Sequence, residues 1–164
     1  MGIIWKYDLE LLRDTLSMID LQLEKLHRAC HNDEMADQLG YFDRGEYVIG
    51  LGFVACQQFI TSTLGRNAFE RSQKLKIGPI RKAGLTVVEI VNHAANYWKH
   101  NDEWGCEANP RARVIIETFE QLGCSLNLDY PLSCVLSVLI GPDDFRFNTI
   151  IIKLEEWADI IRIP

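Results

Sequence analysis

Asp8-Leu9-Glu10-Leu11-Leu12-Arg13-Asp14-Thr15-Leu16-Ser17-Met18-Ile19-Asp20-Leu21-Gln22-Leu23-Glu24-Lys25-Leu26-His27-Arg28-Ala29-Cys30 is the stretch whose reading decides the fold. Leu9, Leu12, Leu16, Ile19, Leu23, Leu26 and Cys30 follow one another in alternating steps of three and four. At 100° per residue this places them on one helical stripe. Glu10, Arg13, Asp20, Glu24 and Lys25 fall off that stripe. The spacing predicts a helix over 8–30 whose stripe packs on a partner helix of the same domain, because an intermolecular coiled coil needs a longer run of heptads.

Downstream, 31–45 is polar and acidic, holds two glycines and reads as a connection. A second helix is expected over 46–64, stopped by Gly65 at the position that favours a left-handed residue. It is apolar nearly all round, so it belongs at the centre. Gly50 and Gly52 each cost a helix about 1 kcal/mol relative to alanine. They point to a close helix–helix approach, with a short strand over Tyr47–Val54 as the alternative. Residues 66–82 carry Arg66, Arg71, Lys74, Lys76, Arg81 and Lys82 against a single acid, Glu70, with part of a helix before Gly78-Pro79 breaks the chain.

Thr86 and Glu89 have the spacing of a capping box, so a further helix starts there and runs to about His100. Asn109-Pro110 pairs an N-cap with proline at the first helical position, and that helix ends at Gly123. Asp129-Tyr130-Pro131 opens a short apolar helix that ends at Gly141-Pro142. The last helix runs over 148–162 on a stripe of Ile151, Leu154, Trp157 and Ile161. The expectation is an all-α fold: one domain over 1–164, an irregular bundle of five to seven helices.

Composition agrees with that. A chain of 164 residues buries roughly 70% of its unfolded surface, enough for a core without staples. The net charge of -6 repels nucleic acid on average and attracts a basic partner. Five cysteines, Cys30, Cys56, Cys106, Cys124 and Cys134, are an odd number without CxxC spacing. Neither a disulfide framework nor a structural zinc is expected, and the thiols read as small hydrophobes. No signal peptide is expected from the opening residues, and no apolar run of the ~20 residues a membrane span needs stands out. A cytoplasmic location is expected, with no membrane association.

On the helix over 86–100, Val88, Val91, Ala95 and Trp98 fall on one side, and Glu89, His93, Asn96 and His100 on the other. Tyr97 flanks this second face, and Asn101, Asp102, Glu103 and Trp104 follow it. A plain solvated face is the bland reading. The face is built of His and Asn, however, rather than Glu, Lys, Arg and Gln, and such groups recognise or catalyse. Metal binding is disfavoured, because two turns separate His93 from His100 by about 10 Å of rise, too far for two ligands of one tetrahedral ion. No metal and no cofactor are expected. An imidazole can instead take the proton of a ribose 2′-hydroxyl, provided that a cation stabilises the phosphorane.

Ala95-Asn96-Tyr97-Trp98-Lys99-His100 resembles the motif of the HEPN domains. These are small all-helical bundles that often act as metal-independent RNases in bacterial toxin–antitoxin and defence systems. Their signature is an arginine, four to six residues and a histidine, commonly with Asn, Asp or His after the arginine. Asn96 and His100 match, and Ala95 stands at the arginine position. With the longer spacing, His93 takes that position. The resemblance implies His100 as base, Asn96 orienting a phosphate, and 66–82 holding an RNA backbone, with Arg81 or Lys82 approaching from the preceding turn. Loss of one preorganised donor typically costs about 10²–10³ in rate, so the departure implies a scaffold kept for binding and leans away from an enzyme.

Two functions follow. The first is an acidic cytosolic binding protein of the immunity or antitoxin type, which neutralises a basic nuclease toxin. Its expected contacts are Asp33, Glu34, Asp37, Asp43, Glu46, Asp102, Glu103, Asp143 and Asp144, which would speed encounter with a basic surface. The alternative is a HEPN-type endoribonuclease or RNA-binding protein using His93, Asn96 and His100, and only then is RNA a partner. Either acts as a monomer or homodimer. A helical adaptor is the third reading.

Overall fold

The computed structural model describes residues 4–64, 68–104 and 110–162. Among them are seven helices: α1 (Ile4–Asn32), α2 (Tyr41–Leu64), α3 (Ala68–Leu75), α4 (Val87–His100), α5 (Pro110–Leu122), α6 (Pro131–Ile140) and α7 (Asn148–Ile160). A small hairpin of β1 (Ile80–Lys82) and β2 (Leu85–Thr86) precedes α4, and a 3-10 turn over Asn101–Glu103 continues it. The fold is an all-α bundle.

The α1 stripe packs as its spacing requires: Leu9, Leu12, Leu16, Leu23 and Leu26 are buried, largely against α2. α2 is helical through 47–54, so the strand alternative falls, and it begins at Tyr41, inside the segment expected to be a connection. The two glycines explain themselves by their neighbours. A Cβ on Gly50 would lie 1.9 Å from Cδ1 of Trp98, and one on Gly52 2.4 Å from Cζ of Phe147. Each glycine therefore admits an aromatic ring from another element. Gly52→Ala drives a methyl into a fully buried ring, and overpacking of that kind costs about 1–3 kcal/mol. Alanine's better helix propensity returns about 1 kcal/mol. The expected outcome is a net loss of up to about 2 kcal/mol, checked by urea unfolding.

By length and composition α2 is long and apolar enough to cross a membrane, which the sequence reading did not single out. Half of its apolar window is packed inside the bundle, as in a core helix.

α4 is the second central element. It packs against α2, α5, α6 and α7, and Val87, Val88, Ile90, Val91, Ala94 and Ala95 are all buried. It is not a surface helix with a free polar side. Its start is as expected: Thr86 Oγ1 accepts from the Glu89 N–H at 3.1 Å, and Glu89 Oε2 accepts from the Thr86 N–H at 3.0 Å.

α6 and α7 have no side-chain cap of their own at the N-cap residue. Carboxylates from distant helices serve instead. Glu46 on α2 accepts the N–H groups of Leu132 and Ser133 at 2.6 and 2.9 Å and the Ser133 hydroxyl at 2.6 Å. Asp20 on α1 accepts the N–H groups of Phe147 and Asn148 at 2.7 and 3.3 Å. A negative charge at a helix N-terminus satisfies orphan donors and complements the dipole. Asp20, expected off the packed stripe, is only 8% exposed.

Two further departures have local causes. Ala83 and Gly84 both have positive φ, 53° and 78°, the backbone that closes a two-residue hairpin, so the end of the basic segment forms β1 and pairs with β2 just after it. Cys124 and Cys134 are disulfide-bonded, with Cα atoms 5.5 Å apart, contrary to the expectation of free thiols. A spacing of ten residues matches no motif; the turn at Gly123 and the start of α6 bring the pair together. Cys56 is buried and Cys30 half-buried, while Cys106 and the Asn109 cap lie outside the described residues.

Candidate functional site

The expected polar face of α4 divides in the structure. Glu89 is taken up by the cap. His93 is tucked against α5, with Nδ1 2.7 Å from Thr118 Oγ1. Thr118 gives its one proton to the Val114 carbonyl at 2.9 Å, so its oxygen accepts and His93 Nδ1 carries the hydrogen. Burial pushes the His93 pKa down, against the opposing charge of Glu89. This is a neutral, packed histidine, not a free ligand.

Asn96 Oδ1 accepts from Gln57 Nε2 at 2.8 Å, and the same amide donates to Asn92 Oδ1 at 2.9 Å. Gln57 Oε1 accepts from Lys99 Nζ at 2.6 Å, and partial burial lowers the Lys99 pKa. The asparagines thus belong to a polar seam between α2 and α4 whose outer end is a lysine.

Only His100 of the expected face is exposed. Its Nδ1 lies 3.2 Å from both carboxylate oxygens of Glu103. A cleft of about 360 Å³ opens here, lined by Asn96, His100, Glu103, Trp104, Arg111, Ala112 and Ile115. Arg111, on the first turn of α5, is the cation that the sequence reading looked for elsewhere. Arginine cannot stand at Ala95, which is fully buried. Arg81 and Lys82 are engaged away from this cleft: Arg81 Nε donates to the Val138 carbonyl at 2.7 Å, and Lys82 Nζ to the Leu122 carbonyl at 2.6 Å. The basic segment therefore does not face His100 through these two groups, and Arg66 lies outside the described residues.

The nine expected acidic contacts fall into three places. Asp33, Glu34, Asp37, Asp43 and Glu46 lie at the α1–α2 link, Asp102 and Glu103 at the end of α4, and Asp143 and Asp144 before α7. Some are occupied. Glu46 is half-buried in its cap, and burial raises its pKa against the bonds from Ser133 and Leu132. Asp33 accepts the Met35 N–H at 2.9 Å. Asp144 is held by Arg146, whose guanidinium keeps its pKa below the ordinary carboxylate range. Glu34, Asp37, Asp43, Asp102, Glu103 and Asp143 are exposed.

The α1–α2 link also borders an apolar groove of about 300 Å³, whose walls include Leu26, His27, Phe42, Tyr130 and Phe145. The Phe42 and Tyr130 rings lie 5.9 Å apart. The Tyr130 hydroxyl donates to Asp43 Oδ1 at 3.5 Å. Partial desolvation, and then the charges of Asp43, Asp37 and Asp129, push the phenol pKa up. Asp129 and Tyr130 were read in the sequence only as the opening of a helix. No sequence signal ties them to Asp37 and Asp43, because the chain meets there only after folding.

No protein-family model matches this chain, no curated protein matches its sequence, and no solved structure matches its fold.

Proposed function

We propose that this chain is an acidic binding protein of the immunity or antitoxin type, which neutralises a basic nuclease toxin through the groove beside Tyr130. One observation carries the reading: Tyr130, whose hydroxyl donates to Asp43, lines an apolar groove beside the acidic α1–α2 link. An aromatic anchor in an apolar site with a mainly acidic rim, Arg44 over the Tyr41 ring being its cation, is the chemistry of a protein interface with a basic partner. Met35, Leu39 and Phe42 add exposed apolar surface at the same edge. Affinity capture from the native host is expected to recover a basic nuclease, with binding that weakens as salt rises. Tyr130→Ala is expected to weaken that binding by about tenfold or more, the scale of one lost anchor. Recovery of no basic protein, or of RNA alone, rules the reading out. A cytoplasmic location goes with it; a Cys124–Cys134 bond that persists in host protein collected under thiol-blocking conditions would move the chain to an oxidising compartment.

A second reading, a HEPN-like endoribonuclease, is favoured by Arg111 sharing one cleft with Asn96 and His100. With Nδ1 held by Glu103, His100 presents Nε2 as base, and Arg111 would offset charge on the phosphorane. Metal-free cleavage of bulk RNA is then expected, reduced about 10²-fold or more by His100→Ala or Arg111→Ala. Cleavage indifferent to both changes, or no cleavage, removes it.

A further inference from the structure

A second groove runs between α1 and α2 and shares no lining residue with the groove at Tyr130. It extends from Asp8 and Ser62 at one end to Gln22 and Val48 at the other, about 21 Å of helix at 1.5 Å per residue. Leu11, Met18 and Leu51 stand on it 47%, 66% and 40% exposed. Among the described residues, Asp8, at its end, is the one charged residue in its lining. So large an uncharged stripe is unusual in a chain of which 24% is charged; the buried centre of an interface is depleted of charge in this way.

The charge argument also selects the occupant. A basic partner gains nothing from an uncharged face and finds better complementarity at the acidic groove. Two copies that each carry -6 repel across most of their surface, and an uncharged face is where they meet at least cost. The flank of the stripe adds a self-complementary pattern. Asp14 and Lys25 are eleven residues apart, three turns, so they lie on one line of α1 about 16 Å from each other. Among the described residues neither forms an ion pair with another part of the chain. An antiparallel copy related by a two-fold axis beside Met18 and Ile19 sets Asp14 of each copy against Lys25 of the other. Such an isologous contact makes the pair twice.

We infer that a second copy of this chain covers the α1–α2 face, antiparallel across a two-fold axis beside Met18, with Asp14 and Lys25 pairing between copies. This surface is distinct from both grooves of the proposed function, so either can fail without the other.

Sedimentation velocity of the full chain over a concentration series tests it. The wild type is expected to reach a dimer in the micromolar range. Met18→Asp, at an exposed position, is expected to give a monomer with unchanged circular dichroism and melting temperature. Lys25→Asp is expected to raise the dimer dissociation constant roughly tenfold, through two lost pairs and two new repulsions. Adding Asp14→Lys to that variant is expected to restore association. A wild type that stays monomeric at high micromolar concentration overturns the inference. So does a dimer indifferent to both Met18→Asp and Leu51→Asp, or a Lys25→Asp loss that the reciprocal swap does not rescue. A wild-type monomer that pellets with phosphatidylcholine vesicles would put a bilayer on this face, and equally overturns it.

Discussion

Trp157→Ala is expected to lower the free energy of unfolding by about 3–5 kcal/mol, the range for removing a large aromatic from a core. Trp157 is fully buried on α7. Its Nε1 donates to the Lys74 carbonyl, on the last turn of α3, at 2.9 Å. Its ring also lies against the turn at Gly78, where an added Cβ would meet Cδ1 at 3.4 Å. One side chain thus fills the core and ties the α3 end of the basic segment to α7. Alanine leaves a cavity and an unpaired carbonyl together. Trp157→Phe separates the two contributions: it keeps most of the apolar contact and loses the hydrogen bond, for about 1–2 kcal/mol plus a small void. Urea unfolding of the three proteins checks this. A loss below about 1 kcal/mol for alanine would show that α7 and α3 close over the gap.

Asp20→Ala is expected to cost about 2–4 kcal/mol, because it strips a charged acceptor from two backbone donors at the start of α7. The Phe147 N–H is buried and has no water to turn to. Asp20 also shapes the pH dependence. Burial raises its pKa, more than the bonds from Phe147 and Asn148 lower it. The folded state therefore holds this proton more tightly than the unfolded chain. As pH falls from neutral through the raised value, Asp20 contributes added stability; as pH rises, it contributes a cost. His93 works in the opposite sense. Burial depresses its pKa, so the unfolded chain takes the proton first, and stability is lost as pH falls through the ordinary imidazole range. Melting temperatures measured against pH should show the imidazole loss removed in His93→Gln and the gain at lower pH removed in Asp20→Ala. A profile unchanged in Asp20→Ala would show that this carboxyl titrates alike in both states.

How much was legible depended on how far apart the cooperating residues stand. The α1 stripe is a matter of steps of three and four, and Leu9, Leu12, Leu16, Leu23 and Leu26 are buried as those steps require. The capping box of α4 needs only Thr86 and Glu89, three residues apart, and both of its hydrogen bonds are present. Proline and glycine punctuation placed α5 and α6 for the same reason, and a stripe of apolar residues placed α7. The Ala83-Gly84 hairpin was not legible: alanine seldom takes positive φ, and strands of three and two residues leave little pattern.

The candidate site was legible only in part. His100 and Asn96 do share a cleft, yet the polar face that was to present them is mostly enclosed. Helical periodicity assigns a residue to a side of its own helix and cannot say whether another helix covers that side. α5 covers His93, and Gln57 of α2 engages Asn96.

The sequence by itself determined most of the helices and the stripe on which α1 packs, because those depend on backbone geometry within a turn or two; the start of α2 and the hairpin before α4 were not legible there. Tertiary structure alone decided which rings fill the hollows at Gly50 and Gly52. It also decided that Asp20 and Glu46 serve as caps for helices more than eighty residues away, that Cys124 meets Cys134, and that Arg111 joins His100. These depend on how finished helices pack. Shape and buried polar demand then select partners that no local spacing encodes.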